Sequence, residues 1–219
     1  MNKGSLTLVA HSYLDNYVEQ ARIEASRDFN PARMRSFFKN FADGLEKRKN
    51  AEERSKGDRY VVTKPFAEAF RTLLPPGADL DTEMPLSEYV SGEDVESFPL
   101  LKRKRVDFSV KRGETLVLIE YKTNLSFNDI SAAIAEMFLV KKYAKNKKIF
   151  TAALFLYPAS GDISLFVKLN EIMGSALDAI WVLGQGTKAS YKYNLQAFET
   201  MRDDINNFLE ISNSNSDQY

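Results

Sequence analysis

Cysteine is absent from this 219-residue chain, and histidine occurs once, at His11. Without thiols there is no disulfide, no zinc–thiolate site and no iron–sulfur cluster. A lone His11 cannot build a histidine-rich metal centre, and its place near a helix start reads as a surface or packing position. A net charge of one sign is missing too. Thirty basic and thirty acidic residues cancel, so overall charge does not announce a nucleic-acid partner; such a partner requires the charge to be unevenly distributed. No apolar run approaches the roughly 20 residues that span a bilayer. The opening segment MNKGSLTLVAHSYLDNYVEQ lacks a long apolar core and turns acidic early, against a signal peptide. The expectation is a cytoplasmic chain folded as one domain, with a helical appendage and a substantial core.

What is present concentrates in two short stretches, Val106-Asp107 in RKRVDFSV and Glu120-Tyr121-Lys122 in TLVLIEYKTN, joined by Lys111-Arg112-Gly113-Glu114. Both flanks are β-branched and apolar, and the glycine turn makes them a hairpin. Alternation puts Leu116, Leu118, Glu120 and Lys122 on one face and Val117, Ile119 and Tyr121 on the other. With Arg112-Gly113 at the tip, Asp107 falls opposite Leu118, on the face of Glu120 and Lys122. Asp107 and Glu120 are then diagonal neighbours roughly 7–8 Å apart at the backbone. A three-residue loop would send Asp107 to the other face.

Ionised carboxylates at the ends of apolar strands are tolerated when paired or metal-bound. Two carboxylates on one face suit Mg²⁺, a hard ion that keeps several waters. The bland alternative is a salt-bridged Asp, Glu and Lys on a half-exposed hairpin.

The following segments decide between the two. Ser126 can cap a helix with Asp129 as its reciprocal partner, and Ile130, Ala133, Ile134, Met137, Phe138 and Ala144 form a stripe at helical spacing. IFTAALFLY, from Ile149 to Tyr157, is short and almost uniformly apolar, as in a strand buried on both faces. In this order the chain resembles the PD-(D/E)XK nuclease superfamily over roughly residues 78 to 157. The resemblance implies an α/β fold: a mixed central β-sheet flanked by helices, the restriction-endonuclease-like core, here with an N-terminal helical region. It matches Asp107 to the first metal-binding Asp, with Val106 where the name-giving Pro often stands. Glu120 matches the second acid, the Tyr121 carbonyl a main-chain ligand, and Lys122 the catalytic lysine. It also implies Mg²⁺, with Mn²⁺ able to substitute.

Organisation along the chain is expected in three parts. Residues 1–60 form an N-terminal helical region, with Val9, Tyr13, Leu14, Tyr17 and Val18 as one stripe. Met34, Phe37, Phe38, Phe41 and Leu45 form a second, after a helix start at Asn30-Pro31. Asn50 to Arg59 reads as a solvated helix end. Residues 61–211 form the core with its C-terminal additions. There Pro65 is expected to open a short helix, Leu80–Leu86 to be the first strand, and 87–104 to be an irregular, charged connection of the kind that carries function. Asp162–Leu177 is ambiguous, Ala179–Leu183 reads as a strand, and Asn194 caps a last helix. Residues 212–219 read as a polar, disordered tail.

Other candidates surround the hairpin. Lys102-Arg103-Lys104-Arg105 leads into the Asp107 strand, where phosphate contacts are wanted; the parity of Arg105 turns it toward the metal face. Lys141 and Lys142, with Lys145, Lys147 and Lys148, serve either phosphate or the helix dipole. Glu68 is a candidate third ligand, as an acid on an earlier helix is in some relatives. Asp79, Asp81 and Glu83 share a face and read as a solvated strand edge.

The Gln-x-x-x-Tyr string of the exonuclease-like branch is absent from Glu136–Tyr143. With no cysteine for a cluster, the resemblance is strongest to a type II restriction endonuclease. That implies double-stranded DNA as substrate and a homodimer matching a palindromic site. Two other classes stay open: a repair, branched-DNA or RNA nuclease of the superfamily, and a non-catalytic interaction module whose hairpin acids pair with lysines.

Overall fold

The computed structural model describes residues 3–27, 32–50, 58–90, 96, 99–144, 148–158, 163–185 and 192–214. Helices α1 (Lys3–Ser26), α2 (Ala32–Asn50) and α3 (Asp58–Phe70) come first. Strand β1 (Asp79–Pro85), a short α4 (Pro99–Arg103) and the hairpin β2 (Arg105–Arg112) and β3 (Thr115–Leu125) follow. Then come α5 (Phe127–Tyr143), β4 (Lys148–Pro158), α6 (Ile163–Ile172) and β5 (Ala179–Val182). A two-stranded ribbon, β6 (Gly184–Gln185) with β7 (Lys192–Tyr193), leads into α7 (Leu195–Ser214).

The five-stranded sheet has the order β1-β2-β3-β4-β5. β1, β2 and β3 are antiparallel neighbours, whereas β3, β4 and β5 run parallel. The sheet is therefore mixed, as expected. Each parallel pair needs a crossover, supplied by α5 between β3 and β4 and by α6 between β4 and β5. Ser126 caps α5 as its sequence implies: its Oγ accepts from the Asp129 N–H at 3.2 Å. The Asp129 carboxylate closes on the same hydroxyl at 2.5 Å instead of reaching back to the backbone. Asn194 caps α7, accepting from the Ala197 N–H at 3.4 Å.

Two apolar layers sandwich the sheet. On one face Phe108, Val110, Val117, Ile119, Tyr121, Ala152 and Leu154 pack against α1, α2, α3 and α7 through Tyr17, Phe37, Phe41, Phe66 and Phe198. The rings interlock, with Phe37 5.3 Å from Phe66 and Phe66 5.0 Å from Tyr121 between centroids. On the other face Leu116, Leu118, Ala153 and Phe155 pack against α5 and α6 through Ile130, Ile134, Met137 and Phe166. The alternation read along β3 thus holds: even positions face one layer and odd positions the other.

Several expectations need correction. Pro65 does not open a helix; it lies inside α3, which begins at Asp58. An interior proline costs about 3 kcal/mol, but Val62, Phe66, Ala69 and Phe70 are fully buried on this helix, and that burial outweighs the missing hydrogen bond. The connection over 87–104 is not irregular throughout: Leu86–Glu88 forms a 3₁₀ turn and Pro99–Arg103 a helical turn. The ambiguous stretch after Tyr157 contains helix α6, and α7 runs to Ser214, past the expected start of the polar tail. Residues 51–57 of the charge run, the Asn30-Pro31 helix start, Lys145 and Lys147, and 215–219 of the tail lie outside the described residues.

Helices α2 and α3 meet at one close approach. A Cβ added to Gly44 would stand 2.8 Å from the Pro65 Cβ, and a rigid ring cannot yield. Gly44→Ala should therefore destabilise the fold, because overpacking costs about 1–3 kcal/mol and exceeds the roughly 1 kcal/mol gained in helix propensity. Urea denaturation would show a lower midpoint at unchanged slope; a raised midpoint would refute the tight contact.

Candidate active site

The hairpin tip is Gly113-Glu114, with Arg112 paired to Thr115 and Phe108 to Ile119. This register lies two residues from that expected with Arg112-Gly113 at the tip. A shift of two preserves the face, so Asp107 still shares one with Glu120 and Lys122. It also brings Asp107 level with Glu120 instead of diagonal to it.

The β2–β3 ladder stops at Phe108–Ile119, and beyond it a side chain replaces the main-chain partner. The Tyr121 N–H donates to Asp107 Oδ2 at 2.9 Å. A strand residue's N–H and C=O point to the same edge, so the Tyr121 carbonyl also faces the gap opened beside Asp107. The Tyr121 ring points the other way, 5.4 Å from the Phe108 ring centroid. That packing anchors the backbone that holds Asp107.

Asp107 is 3% exposed and Glu120 6%. Lys122 Nζ bridges them, donating to Asp107 Oδ2 at 3.1 Å and to Glu120 Oε1 through a shorter bond. Burial, then the Asp107 charge, pushes the Glu120 carboxyl up to about 7 against the pull of Lys122. Burial works against the Lys122 charge, but Glu120 and Asp107 outweigh it and hold the ammonium above its ordinary range. The bland reading of a half-exposed surface salt bridge does not describe this geometry. The triad is a mostly buried anion pair with one cation.

Glu120 Oε2 is buried without a hydrogen-bond partner. A buried carboxylate oxygen left so carries a desolvation penalty that a cation would relieve. With Asp107 and the Tyr121 carbonyl beside it, the donor set is all oxygen, which fits Mg²⁺ with its remaining positions on water.

A further acid, Glu136, has no role in the sequence reading. It is 3% exposed on α5, its charge adds to the upward push on Glu120, and Lys104 Nζ pairs with it at 2.5 Å. The signal was available: Glu136 follows Ala133 by three and precedes Val140 by four, so an acid sits on the buried stripe. Glu68 lies elsewhere, exposed on α3 and lining a cleft with Glu83 and Arg105. Among the described residues no three acidic or histidine side chains converge as a metal-holding group.

The basic candidates divide. Lys102 pairs with Glu96 at 2.5 Å and Lys104 with Glu136, while Arg103 is exposed on the same turn. Arg105 turns to β1 and donates to the Glu83 carbonyl at 2.8 Å. Lys141 latches onto Asp178 Oδ1 at 2.6 Å, and Lys142 stands 5.2 Å over the Tyr143 ring. Both lie near the C-terminus of α5, which leads into the start of β4. The crossover topology thus puts them at the opposite end of the sheet from Lys122.

No family model and no curated protein matches the chain. Among solved structures it is similar to NucC of P. aeruginosa ATCC27853 in its cAAA-bound form, at 10% identity over 91% of this chain and 90% of that one, with a TM-score of 0.44. It is also similar to the type IIP restriction endonuclease Kpn2I, at 14% identity over 93% of this chain and 70% of that one, again with a TM-score of 0.44. No described helix is long and apolar enough to cross a membrane.

The raised Glu120 pKa makes metal-free stability depend on pH. Between about 4.5 and 7 the folded state keeps a proton that the unfolded state has released. This contribution is therefore fully present below 4.5 and lost as pH rises through 7, with a limiting slope of about 1.4 kcal/mol per pH unit. Melting in EDTA from pH 4.5 to 8 should show Glu120→Gln gaining on the parent protein as pH rises. Parallel profiles would show that Glu120 titrates normally.

Proposed function

We propose that this chain is a Mg²⁺-dependent endonuclease that hydrolyses phosphodiester bonds of double-stranded DNA. The observation that carries the reading is the buried Asp107–Glu120 pair with Lys122 between them and Glu120 Oε2 unsatisfied. One ammonium offsets only one of the two buried charges, and the resemblance to PD-(D/E)XK nucleases assigns the pair to a metal ion.

Asp107, Glu120 and the Tyr121 carbonyl would hold the metal. When bound, a divalent cation supplies a water of lowered pKa and offsets charge on the phosphorane-like transition state. Lys122 orients that water and stabilises negative charge as it develops on the phosphoryl oxygens. Asp107 is kept in place by the Tyr121 N–H, so its carboxylate needs no reorganisation before reaction. Lys102, Arg103, Lys104 and Arg105 stand at the entry to β2, where contacts to the DNA backbone set register without reading sequence. In this proposal the enzyme is sequence-specific and acts as a homodimer, since a two-fold protein matches a palindromic target and cuts both strands. Glu68 and the α5 lysines Lys141 and Lys142 have weaker support: the first lies in a separate cleft and the others near the far end of the sheet.

Digestion of a duplex of known sequence with and without Mg²⁺, followed by sequencing of the ends, tests this directly. Discrete metal-dependent products are expected from the parent. Asp107→Ala should yield none while remaining folded and able to bind DNA. A fully active Asp107→Ala protein, or cleavage that persists in EDTA, would remove the site from the reaction.

Lys122 separates chemistry from binding. Lys122→Ala should slow single-turnover cleavage by orders of magnitude, with DNA affinity in Ca²⁺ nearly unchanged. If lost affinity accounted for all of the lost cleavage, Lys122 would instead be a phosphate contact.

A further inference from the structure

Between α3 and the outer edge of the sheet lies a cleft of about 490 Å³. One wall includes Lys64 and Glu68 of α3 and Arg71 of the 3₁₀ turn Arg71–Leu73 that continues it, and the sheet wall is Thr82, Glu83 and Arg105. Lys64, Glu68 and Arg71 are all exposed; the spacing of four makes Lys64 and Glu68 neighbours on one face of α3, and Arg71 follows on the turn that continues it.

The sheet wall is distorted in a way that makes the cleft. Glu83 has φ +57°, a left-handed conformation uncommon for a residue with a Cβ. It falls between the ladder pairs Thr82–Phe108 and Met84–Val106, level with Asp107. The Arg105 guanidinium holds this kink by donating to the Glu83 carbonyl at 2.8 Å, and Arg71 reaches the Leu80 carbonyl at 3.4 Å. Each thus commits one of its five N–H donors to the β1 main chain among the described residues, with others left to recognise a ligand. Three cations against two carboxylates leave the lining with one net positive charge.

We propose that this cleft is a subsite for one phosphodiester group of the DNA strand, next along the backbone from the group cut at Asp107 and Glu120. The proposal rests on the nuclease reading and deepens it. One phosphodiester carries a single negative charge, matching the net charge of the lining. Arg105 precedes Asp107 by two residues on β2, a separation of about 7 Å along a strand, and Glu83 on the neighbouring strand stands level with Asp107, so two lining residues place the cleft at the sheet edge nearest Asp107. Guanidinium groups suit phosphate because their planar donors bind two oxygens at once. Arg105 therefore acts on the neighbouring phosphate and on the kink at Glu83, whereas its strand parity alone turned it toward the metal face.

The test is equilibrium binding of a fluorescent duplex in EDTA across a salt series, which leaves the metal site out of the readout. Lys64→Ala/Arg71→Ala should weaken binding about tenfold or more and reduce the slope of log affinity against log salt by about one unit, as expected for one lost phosphate contact. Lys39→Ala/Lys47→Ala, which removes the same charge from exposed positions on α2, controls for the long-range field. A cleft variant that binds like this control, with the salt slope of the parent, overturns the subsite. Thermal melts keep lost binding distinct from lost folding, and Arg71→Lys, retaining charge without the planar fork, should recover the salt slope but only part of the affinity. Cleavage with Mg²⁺ is scored separately. A parent that binds through the cleft yet never cuts retains the subsite and loses the nuclease reading. A parent that cuts while the cleft variant matches the control does the reverse.

Discussion

One hydrogen bond sets the terms for the rest of the site: the Tyr121 N–H donating to Asp107 Oδ2. In an uninterrupted antiparallel ladder that N–H would bond a carbonyl on β2, and no room would remain for a carboxylate between the strands. By taking over the main-chain bond, Asp107 ends the ladder and satisfies a backbone donor. It thereby enters the interior with part of its hydration already replaced. Glu120 lacks that compensation at Oε2, and the two acids consequently have different electrostatic lives. Asp107 is anchored by the backbone, whereas Glu120 is pushed toward protonation near neutrality.

The two faces of β3 divide the labour. Val117, Ile119 and Tyr121 root the strand in the aromatic layer with Phe66 and Phe108. Because adjacent residues point to opposite faces, every ring that packs there also fixes the heading of Glu120 and Lys122 on the other side. The N-terminal helices, far from the carboxylates in sequence, therefore contribute by rigidity: they hold Tyr121, which holds Asp107. Constellations built on strands locked in this way keep their geometry better than those on loops.

Much of this was legible because period-two alternation is insensitive to even errors in register. Asp107 was expected opposite Leu118 and stands level with Glu120, yet the shared face survived. Ser126 and Asn194 were legible as caps because their side chains act within three residues. The kink at Glu83 was not legible: a left-handed non-glycine residue depends on Arg105, twenty-two positions away. Pro65 misled for a similar reason, since its place inside α3 rests on burial supplied by α2. Glu136 was overlooked because an acid in a helix usually marks the solvated face. The Lys104 partner, thirty-two residues earlier, makes its burial tolerable. The features that escaped are those whose stability comes from a distant partner.

That dependence also explains how a chain of zero net charge can carry an electrostatically specialised site. Lys122 serves Asp107 and Glu120, and Lys104 serves Glu136. These buried acids are thus met locally, fully at Glu136 and only in part at the Asp107–Glu120 pair, where one ammonium faces two carboxylates. Around Glu120 three kinds of positive charge can satisfy the same oxygens: a proton, the Lys122 ammonium or a divalent ion. In the metal-free state the first two share the task, and the raised values of both Glu120 and Lys122 express it. A divalent ion would have to displace the proton and compete with the ammonium. It would then leave Lys122 beside the carboxylates with donors to spare, where a water or a phosphoryl oxygen could use them.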